Sequence, residues 1–316
     1  MNYRSISDLT NIIRNNITNI PEDIDIIVGV PRSGLLVATI MSLLLNKPIT
    51  TLDGFLHKEI IANGSTKVTS SLKKSIDDCK KVLIVEDSVS SGESIIKTKE
   101  KLSTLTQFDF VYLAVFVTED KASFVDIYFE ILEKPRIFEW NAFHHPYYLP
   151  NACLDIDGVL CVDPTDEEND NGEKYRHFLL TARPKFIPTC EVGYLVTSRL
   201  EVYRKETEEW LKKNNVKYKH LVMLDATYEE RQRNNLHAKH KAKVYKKAKE
   251  SELFIESEVN QAIEINELTK KPVYCVEDGK LYDGHKNVVE KKKTLVSKLK
   301  KFRIVRFLLS LRGKRK

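Results

Sequence analysis

Val82-Leu83-Ile84-Val85-Glu86-Asp87-Ser88-Val89-Ser90-Ser91-Gly92-Glu93-Ser94 decides how the first half of the chain is read. The opening four residues are apolar with no polar face, the pattern of a strand covered on both sides of a parallel sheet. Two acids follow, then a short Ser/Gly loop running into a helical pattern from Ile95. A loop at a helix N-terminus offers backbone N–H groups and hydroxyls to an anion such as phosphate. Acids placed just before it can accept hydrogen bonds from the vicinal hydroxyls of a sugar. A sugar phosphate suits both halves. The plainer reading is a strand–loop–helix corner with a capping serine.

The stretch resembles the phosphoribosyl-pyrophosphate (PRPP) motif of type I phosphoribosyltransferases. The resemblance implies that Glu86 and Asp87 hold the ribose hydroxyls, and that Ser88, Val89, Ser90, Ser91, Gly92, Glu93 and Ser94 wrap the 5-phosphate. Upstream, Asp25-Ile26-Ile27-Val28-Gly29-Val30 reads as another buried strand, followed by Pro31-Arg32-Ser33-Gly34 and the apolar helix Leu35 to Leu45. In the same family this is similar to the loop that binds pyrophosphate through backbone N–H groups and a basic side chain, here Arg32. Gly29 and Gly34 permit close backbone approach. Both loops follow strands, so both are expected at the carboxyl edge of one sheet, where open α/β sheets bind ligands.

The length of 316 residues suggests two domains, and 42% apolar residues can fill their cores. No apolar run approaches a membrane span. Met1 to Ser5 lead into a polar helix over residues 5–18, not an apolar leader, and the protein is expected in the cytoplasm. Five cysteines without a CxxC pair argue for reduced thiols and against a zinc site. The net charge of +6 is uneven: residues 286–316 hold 13 Lys and Arg against one acid. The remainder therefore carries 38 basic and 44 acidic side chains, a net −6. An acidic body argues against nucleic acid as a partner.

Further along, Ile49 to Leu52 reads as a strand, and Leu56 through Ser71 is a Gly/Ser/Thr/Lys-rich segment. It is either a solvated loop or, as the family resemblance implies, a flap that closes over PRPP. Asp109 to Thr118 and Phe124 to Leu132 extend the sheet. Phe138 to Pro146, with His144 and His145, reads as a packed connection ending a first domain at residue 148.

The chemistry changes at Cys153-Leu154-Asp155-Ile156-Asp157-Gly158-Val159-Leu160, where a strand delivers two carboxylates at spacing two. Strand alternation points both the same way. This resembles the first motif of the haloacid-dehalogenase (HAD) superfamily in its phosphatase form. The resemblance implies Asp155 as nucleophile and Asp157 as general acid and then base. Tyr194-Leu195-Val196-Thr197-Ser198-Arg199 is similar to the second motif, with Thr197 on the phosphoryl group. Lys241 is taken as the third-motif lysine, with Lys239 and Lys243 as rivals that spacing does not separate. Leu253-Phe254-Ile255-Glu256-Ser257-Glu258 corresponds to the fourth motif, with Glu256 where Asp is usual and the role of Glu258 open. Asp155, Asp157 and Glu256 are the expected ligands of Mg²⁺, which takes oxygen donors. Between the first two motifs no large cap is evident, and Asp163 to Glu173 reads as an exposed acidic loop.

The expected fold is thus α/β. It has two doubly wound parallel-sheet domains: a phosphoribosyltransferase-like one over 1–148, and a HAD Rossmann-like one with a minimal cap over 149–285. A basic amphipathic helix over 286–316 follows, in which Leu295, Leu299, Phe302, Val305 and Leu309 recur at helical spacing. Such a helix suits either a membrane surface, here the inner face, or the protein's own acidic body.

A domain that adds 5-phosphoribosyl joined to one that removes phosphate esters resembles the PRPP-dependent ribofuranosyl transfer systems of bacterial polysaccharide assembly. The acceptor implied is a glycan, with lipid linkage as one form, and the product is plain ribofuranose. The rivals are an orotate-type or other nucleobase transferase with an accessory phosphatase, and a PRPP-sensing protein without transfer chemistry.

Overall fold

A computed structural model describes residues 1–61, 75–169 and 172–283. The tail from residue 286 and the portion of the expected flap from 62 to 71 lie outside the described residues. The chain divides into two compact units, Met1–Trp140 and the residues from Asn141 onward. The sequence reading puts the break at 148–149. Residues 141–148 group with the second unit, where Phe143 stacks on Phe186 at 4.6 Å between ring centroids and the His144 ring lies 3.2 Å from the Thr189 hydroxyl.

In the first unit β1 (Asn2–Arg4) leads into α1 (Ile6–Asn16), which starts at a reciprocal Ser5–Asp8 capping box. β2 (Ile26–Gly29), α2 (Ser33–Leu45), β3 (Ile49–Thr51) and the short α3 (Leu52–Leu56) follow. β4 (Lys81–Val89), α4 (Glu93–Leu102), β5 (Asp109–Val117), β6 (Ile127–Ile131) and β7 (Arg136–Phe138) complete it. Five strands form one parallel sheet in the order β3-β2-β4-β5-β6. All four residues of β2 are buried, as an apolar strand covered on both faces must be. A separate parallel pair joins β1 to β7 and ties the N-terminus to the end of the unit.

Two glycines let α2 lie directly against the sheet. A Cβ on Gly34 would stand 2.5 Å from the Val85 carbonyl oxygen, and one on Gly29 would stand 2.7 Å from the Leu35 Cα. Both obstacles are backbone, so neither can swing aside. Gly34→Ala is therefore expected to destabilise the protein by about 1–3 kcal/mol through overpacking, read as a lower urea midpoint with an unchanged slope. A midpoint equal to wild type would contradict the close packing.

The second unit comprises β8 (Ala152–Leu154), α5 (Glu173–Thr181), β9 (Val192–Leu200), α6 (Arg204–Lys213) and β10 (Tyr218–Leu224). Then come α7 (Tyr228–Arg233), α8 (Leu236–Lys247), β11 (Leu253–Glu256), α9 (Val259–Thr269), β12 (Val273–Cys275) and β13 (Lys280–Tyr282). The sheet order is β10-β9-β8-β11-β12-β13, with β13 antiparallel and the others parallel. Strand order reverses beside β8, so the carboxyl ends of β8, β9 and β11 open at a topological switch point. Between β8 and β9 the one described helix is α5, packed on α6 with Arg176 paired to Glu206. Trp210 at the core of α6 is buried and donates from its indole to the Ala182 carbonyl at 2.7 Å. Among the described residues no helix is long and apolar enough to cross a membrane. All five cysteines are free thiols.

Candidate functional site

In the first unit the PRPP-like stretch is more regular than its sequence suggests. β4 continues through Val89, pairing Ser88 with Phe116 and Val89 with Val117. Ser88 and Val89 are thus strand residues, and Glu93 and Ser94 form the first turn of α4, leaving Ser90, Ser91 and Gly92 as the turn. Gly92 sits at φ +87°, a conformation that favours glycine, and caps the helix whose first-turn N–H groups face the turn.

Strand alternation also sends the two acids to opposite faces. Glu86 accepts a hydrogen bond from the Ser94 hydroxyl at 2.7 Å, on the side of α4. Asp87 accepts one from the Trp140 indole at 2.9 Å. Trp140 lies at the end of an aromatic stack with Phe138 and Phe116. Next to it Arg136 is buried, donating to the Leu132 and Val89 carbonyls. Neither Trp140 nor Arg136 belongs to the motif. Both arrive from the far end of the unit because β7 pairs with β1, a connection that local sequence pattern does not reveal.

Burial is the largest influence on both carboxyls. Burial pushes Glu86 up to about 7, eased by the Ser94 hydrogen bond and increased by the Asp87 charge. Burial raises Asp87 as well, with the Trp140 hydrogen bond pulling it back. Because the folded value for Glu86 lies above its unfolded one, ionising it weakens folding as pH rises from 4.5 to about 7. That penalty is complete above this window and amounts to about 2–3 kcal/mol. Glu86→Gln keeps an oxygen for Ser94 and removes the charge. The variant is expected to be more stable than wild type at pH 8, by up to about that amount, and close to it at pH 4.5, while losing affinity for PRPP. Urea unfolding at the two pH values checks the first part; a variant less stable than wild type at pH 8 would refute it.

The pyrophosphate-loop residues occupy the corner between β2 and α2. Pro31 and Arg32 are exposed, the peptide joining them is cis, and Ser33 opens the helix. Val30 donates to the Val85 carbonyl at 3.0 Å, so this corner abuts β4 five residues before the Ser90 turn begins.

In the second unit the expected residues converge more fully. A cleft of about 410 Å³ at the ends of β8, β9 and β11 is lined by Asp155, Asp157, Thr197 and Lys241, among others. Lys241 is buried and its Nζ donates to Asp155 Oδ2 at 2.6 Å, Glu256 Oε2 at 2.8 Å and Gln261 Oε1 at 2.9 Å. Its rivals point elsewhere: Lys239 donates to the Asn234 carbonyl, and Lys243 is exposed. The geometry thus separates three lysines that spacing could not. Thr197 is fully buried at the cleft wall, and its hydroxyl accepts from the Arg199 N–H at 3.2 Å. Glu258 also lines the cleft and accepts from Gln261 at 2.6 Å.

Burial works against the charge on Lys241, but Asp155 and Glu256 hold it protonated, above the ordinary lysine value. Burial pushes Asp155 up; Lys241 pulls it back and Glu256 raises it again. The carboxylate at the bottom of the cleft is thus desolvated, with one oxygen on the ammonium and the other accepting from the Ile156 N–H at 2.8 Å.

Asp157 departs from expectation. Arg199, buried behind it, grips both its oxygens, with Nη2–Oδ1 at 2.6 Å and Nε–Oδ2 at 3.0 Å. Burial alone would raise Asp157, but the guanidinium holds its carboxyl below the ordinary range. A role as proton donor requires that pair to open. Arg199 carries this pairing from two positions after Thr197, a spacing that places it on the same strand face.

The expected Mg²⁺ set does not assemble. Asp157 faces Arg199, Asp155 and Glu256 are bridged by Lys241, and Glu256 Oε1 accepts from the Ser257 N–H at 2.9 Å. Among the described residues no group of three or more acids, histidines and cysteines is arranged to hold a metal. Each of the three carboxylates is held by a lysine, an arginine or backbone N–H groups, so Mg²⁺ would have to share or displace those contacts in this arrangement.

Residues 2–151 match the family model of the phosphoribosyl transferase domain. The match spans the first unit and the 11 residues that follow Trp140. Over those residues the chain is similar to a phosphoribosyl transferase domain. No curated protein matches the sequence. Solved structures similar to the chain include a xanthine-guanine-hypoxanthine phosphoribosyltransferase from Helicobacter pylori, at 13% identity over 45% of this chain and 93% of that one, with a TM-score of 0.35. A purine phosphoribosyltransferase from Pyrococcus horikoshii is 18% identical over 44% of this chain and 92% of that one, with a TM-score of 0.31. An orotate phosphoribosyltransferase from Aeropyrum pernix is 20% identical over 37% of this chain and 60% of that one, with a TM-score of 0.25.

Proposed function

We propose that the protein transfers 5-phosphoribosyl from PRPP to a glycan acceptor and then removes the 5-phosphate, leaving ribofuranose. The observation that carries the second step is the lysine-bridged Asp155 beside Thr197 in the cleft of a unit joined to a phosphoribosyltransferase-like domain.

In the first step the bond from ribose C1 to pyrophosphate breaks and one to an acceptor oxygen forms, while the acceptor hydroxyl loses its proton. The sugar is cationic in between, and the desolvated carboxyl of Glu86, beside the Ser94 hydroxyl, suits its hydroxyls and that developing charge, while Asp87 on the other face would have to leave the Trp140 indole to join it. In this reading the α2 N-terminus and Arg32 receive the departing pyrophosphate. Mg²⁺ in such transfers accompanies the pyrophosphate.

In the second step the Asp155 carboxylate attacks the 5-phosphate, the sugar oxygen departs and takes up a proton, and water cleaves the acyl phosphate to inorganic phosphate. Lys241 holds the nucleophile in place and offsets charge on the phosphoryl oxygens. Were the acceptor a nucleobase, this step would destroy the nucleotide just made, which favours a sugar. The family match suits a nucleobase acceptor equally, so the acceptor decides between them. The test incubates the full chain with PRPP, Mg²⁺ and either lipid-linked or free glycans, or free nucleobases, and reads pyrophosphate release and product masses. A ribosylated glycan lacking phosphate supports the reading; a nucleotide product, or PRPP binding without pyrophosphate release from any acceptor, overturns it.

A further inference from the structure

We infer that the cleft of the second unit takes a phosphate monoester carrying a second phosphate group, and that Arg231 is the residue that holds this second group. The inference rests on the reading of that cleft as a phosphate-ester hydrolase and names its substrate class. Arg231 stands in α7, lines the cleft with Asp155, Thr197 and Lys241, and is 6% exposed. Its Nη1 donates to the Ser198 carbonyl at 3.1 Å, and the Tyr228 ring lies 5.3 Å from its guanidinium carbon. Its Nε is buried and has no hydrogen-bond partner. Among the described residues no carboxylate pairs with it.

The other buried cations of the cleft are neutralised. Arg199 is matched by Asp157, and Lys241 by Asp155 and Glu256. Desolvating a guanidinium without a counter-ion is costly, and native structures rarely do so without cause. Ser198, whose carbonyl anchors Arg231, also lines the cleft and carries a buried hydroxyl with no partner. Two orphaned donors, one of them charged, thus meet on one wall of a cleft that already holds its own nucleophile and lysine.

The missing partner is an anion. A guanidinium edge presents N–H groups in the fork that matches phosphate oxygens. The phosphate to be cleaved belongs against Asp155, where Lys241 already supplies the positive charge. Arg231 therefore serves a different group of the same molecule. For a 5-phosphoribosyl substrate that group is a phosphate on the acceptor side of the sugar, and ribose 1,5-bisphosphate is the smallest probe with both.

The test compares hydrolysis of the 5-phosphate of ribose 1,5-bisphosphate and of ribose 5-phosphate by the full chain, as wild type and as Arg231→Gln. Wild type is expected to favour the bisphosphate by about 10- to 100-fold in kcat/KM, the contribution of a charge-assisted pair. Arg231→Gln should bring that ratio to about 1, chiefly through KM for the bisphosphate. Because the ratio is the readout, a general loss of folded protein does not imitate the result. Should Arg231→Gln fail to fold, Arg231→Lys carries the test, and its ratio must fall below that of wild type. A wild type without preference, a variant that keeps the preference, or equal losses on both substrates would overturn the inference while leaving the hydrolase reading intact. Hydrolysis of neither compound by wild type would overturn that reading, and this inference with it.

Discussion

Lys241→Met is expected to destabilise the protein by about 3–5 kcal/mol, the usual cost of stranding buried charge by removing its partner. Its ammonium is the one positive group between Asp155 and Glu256, at 2.6 and 2.8 Å. Methionine fills the same space without the charge, so packing changes little and electrostatics dominate. Two buried carboxylates would then face each other, and Gln261 would lose its donor as well. Urea unfolding measures the loss. A decrease under about 1 kcal/mol would mean that Lys241 is not what holds the two acids together.

Asp155→Asn is expected to have the opposite profile. Hydrolysis of phosphate esters should fall by about 10⁴-fold or more, as removing a covalent nucleophile does. Stability should be held or improved, since Lys241 retains Glu256 and one of two mutually repelling charges is gone. Loss of activity without loss of stability separates a chemical role from a structural one. Proportionate loss of both would show that Asp155 acts through the fold.

Much of this was legible in the sequence where local pattern and chemistry coincide. The apolar runs of β2 and β4 are buried on both faces, and the strands bearing Asp155, Thr197 and Glu256 do meet at one cleft. What the sequence hid depends on partners far along the chain. The alternation of β4 splits Glu86 from Asp87, because the strand extends three residues past Glu86 instead of ending at the acids. Trp140 reaches Asp87 across 53 positions, through the pairing of β7 with β1. Arg199 was visible two places after Thr197, but only the folded geometry reveals that it occupies both oxygens of Asp157. The three acids read as a metal set, Asp155, Asp157 and Glu256, show the same dependence on distant partners: motif spacing reports which acids approach one another, not that Lys241 and Arg199 pair with them.

The most direct test of a transfer followed by dephosphorylation is the mass of the acceptor product formed from PRPP by wild type and by Asp155→Asn. Both should release pyrophosphate, since Asp155 lies in the unit that does not carry the PRPP motif. Wild type should yield an acceptor heavier by one ribose, and Asp155→Asn an acceptor heavier by one ribose plus one phosphate. Treating the mutant product with fresh wild-type protein should then remove that phosphate. Identical dephosphorylated products from both proteins, or no ribosylated acceptor from either, would contradict the account.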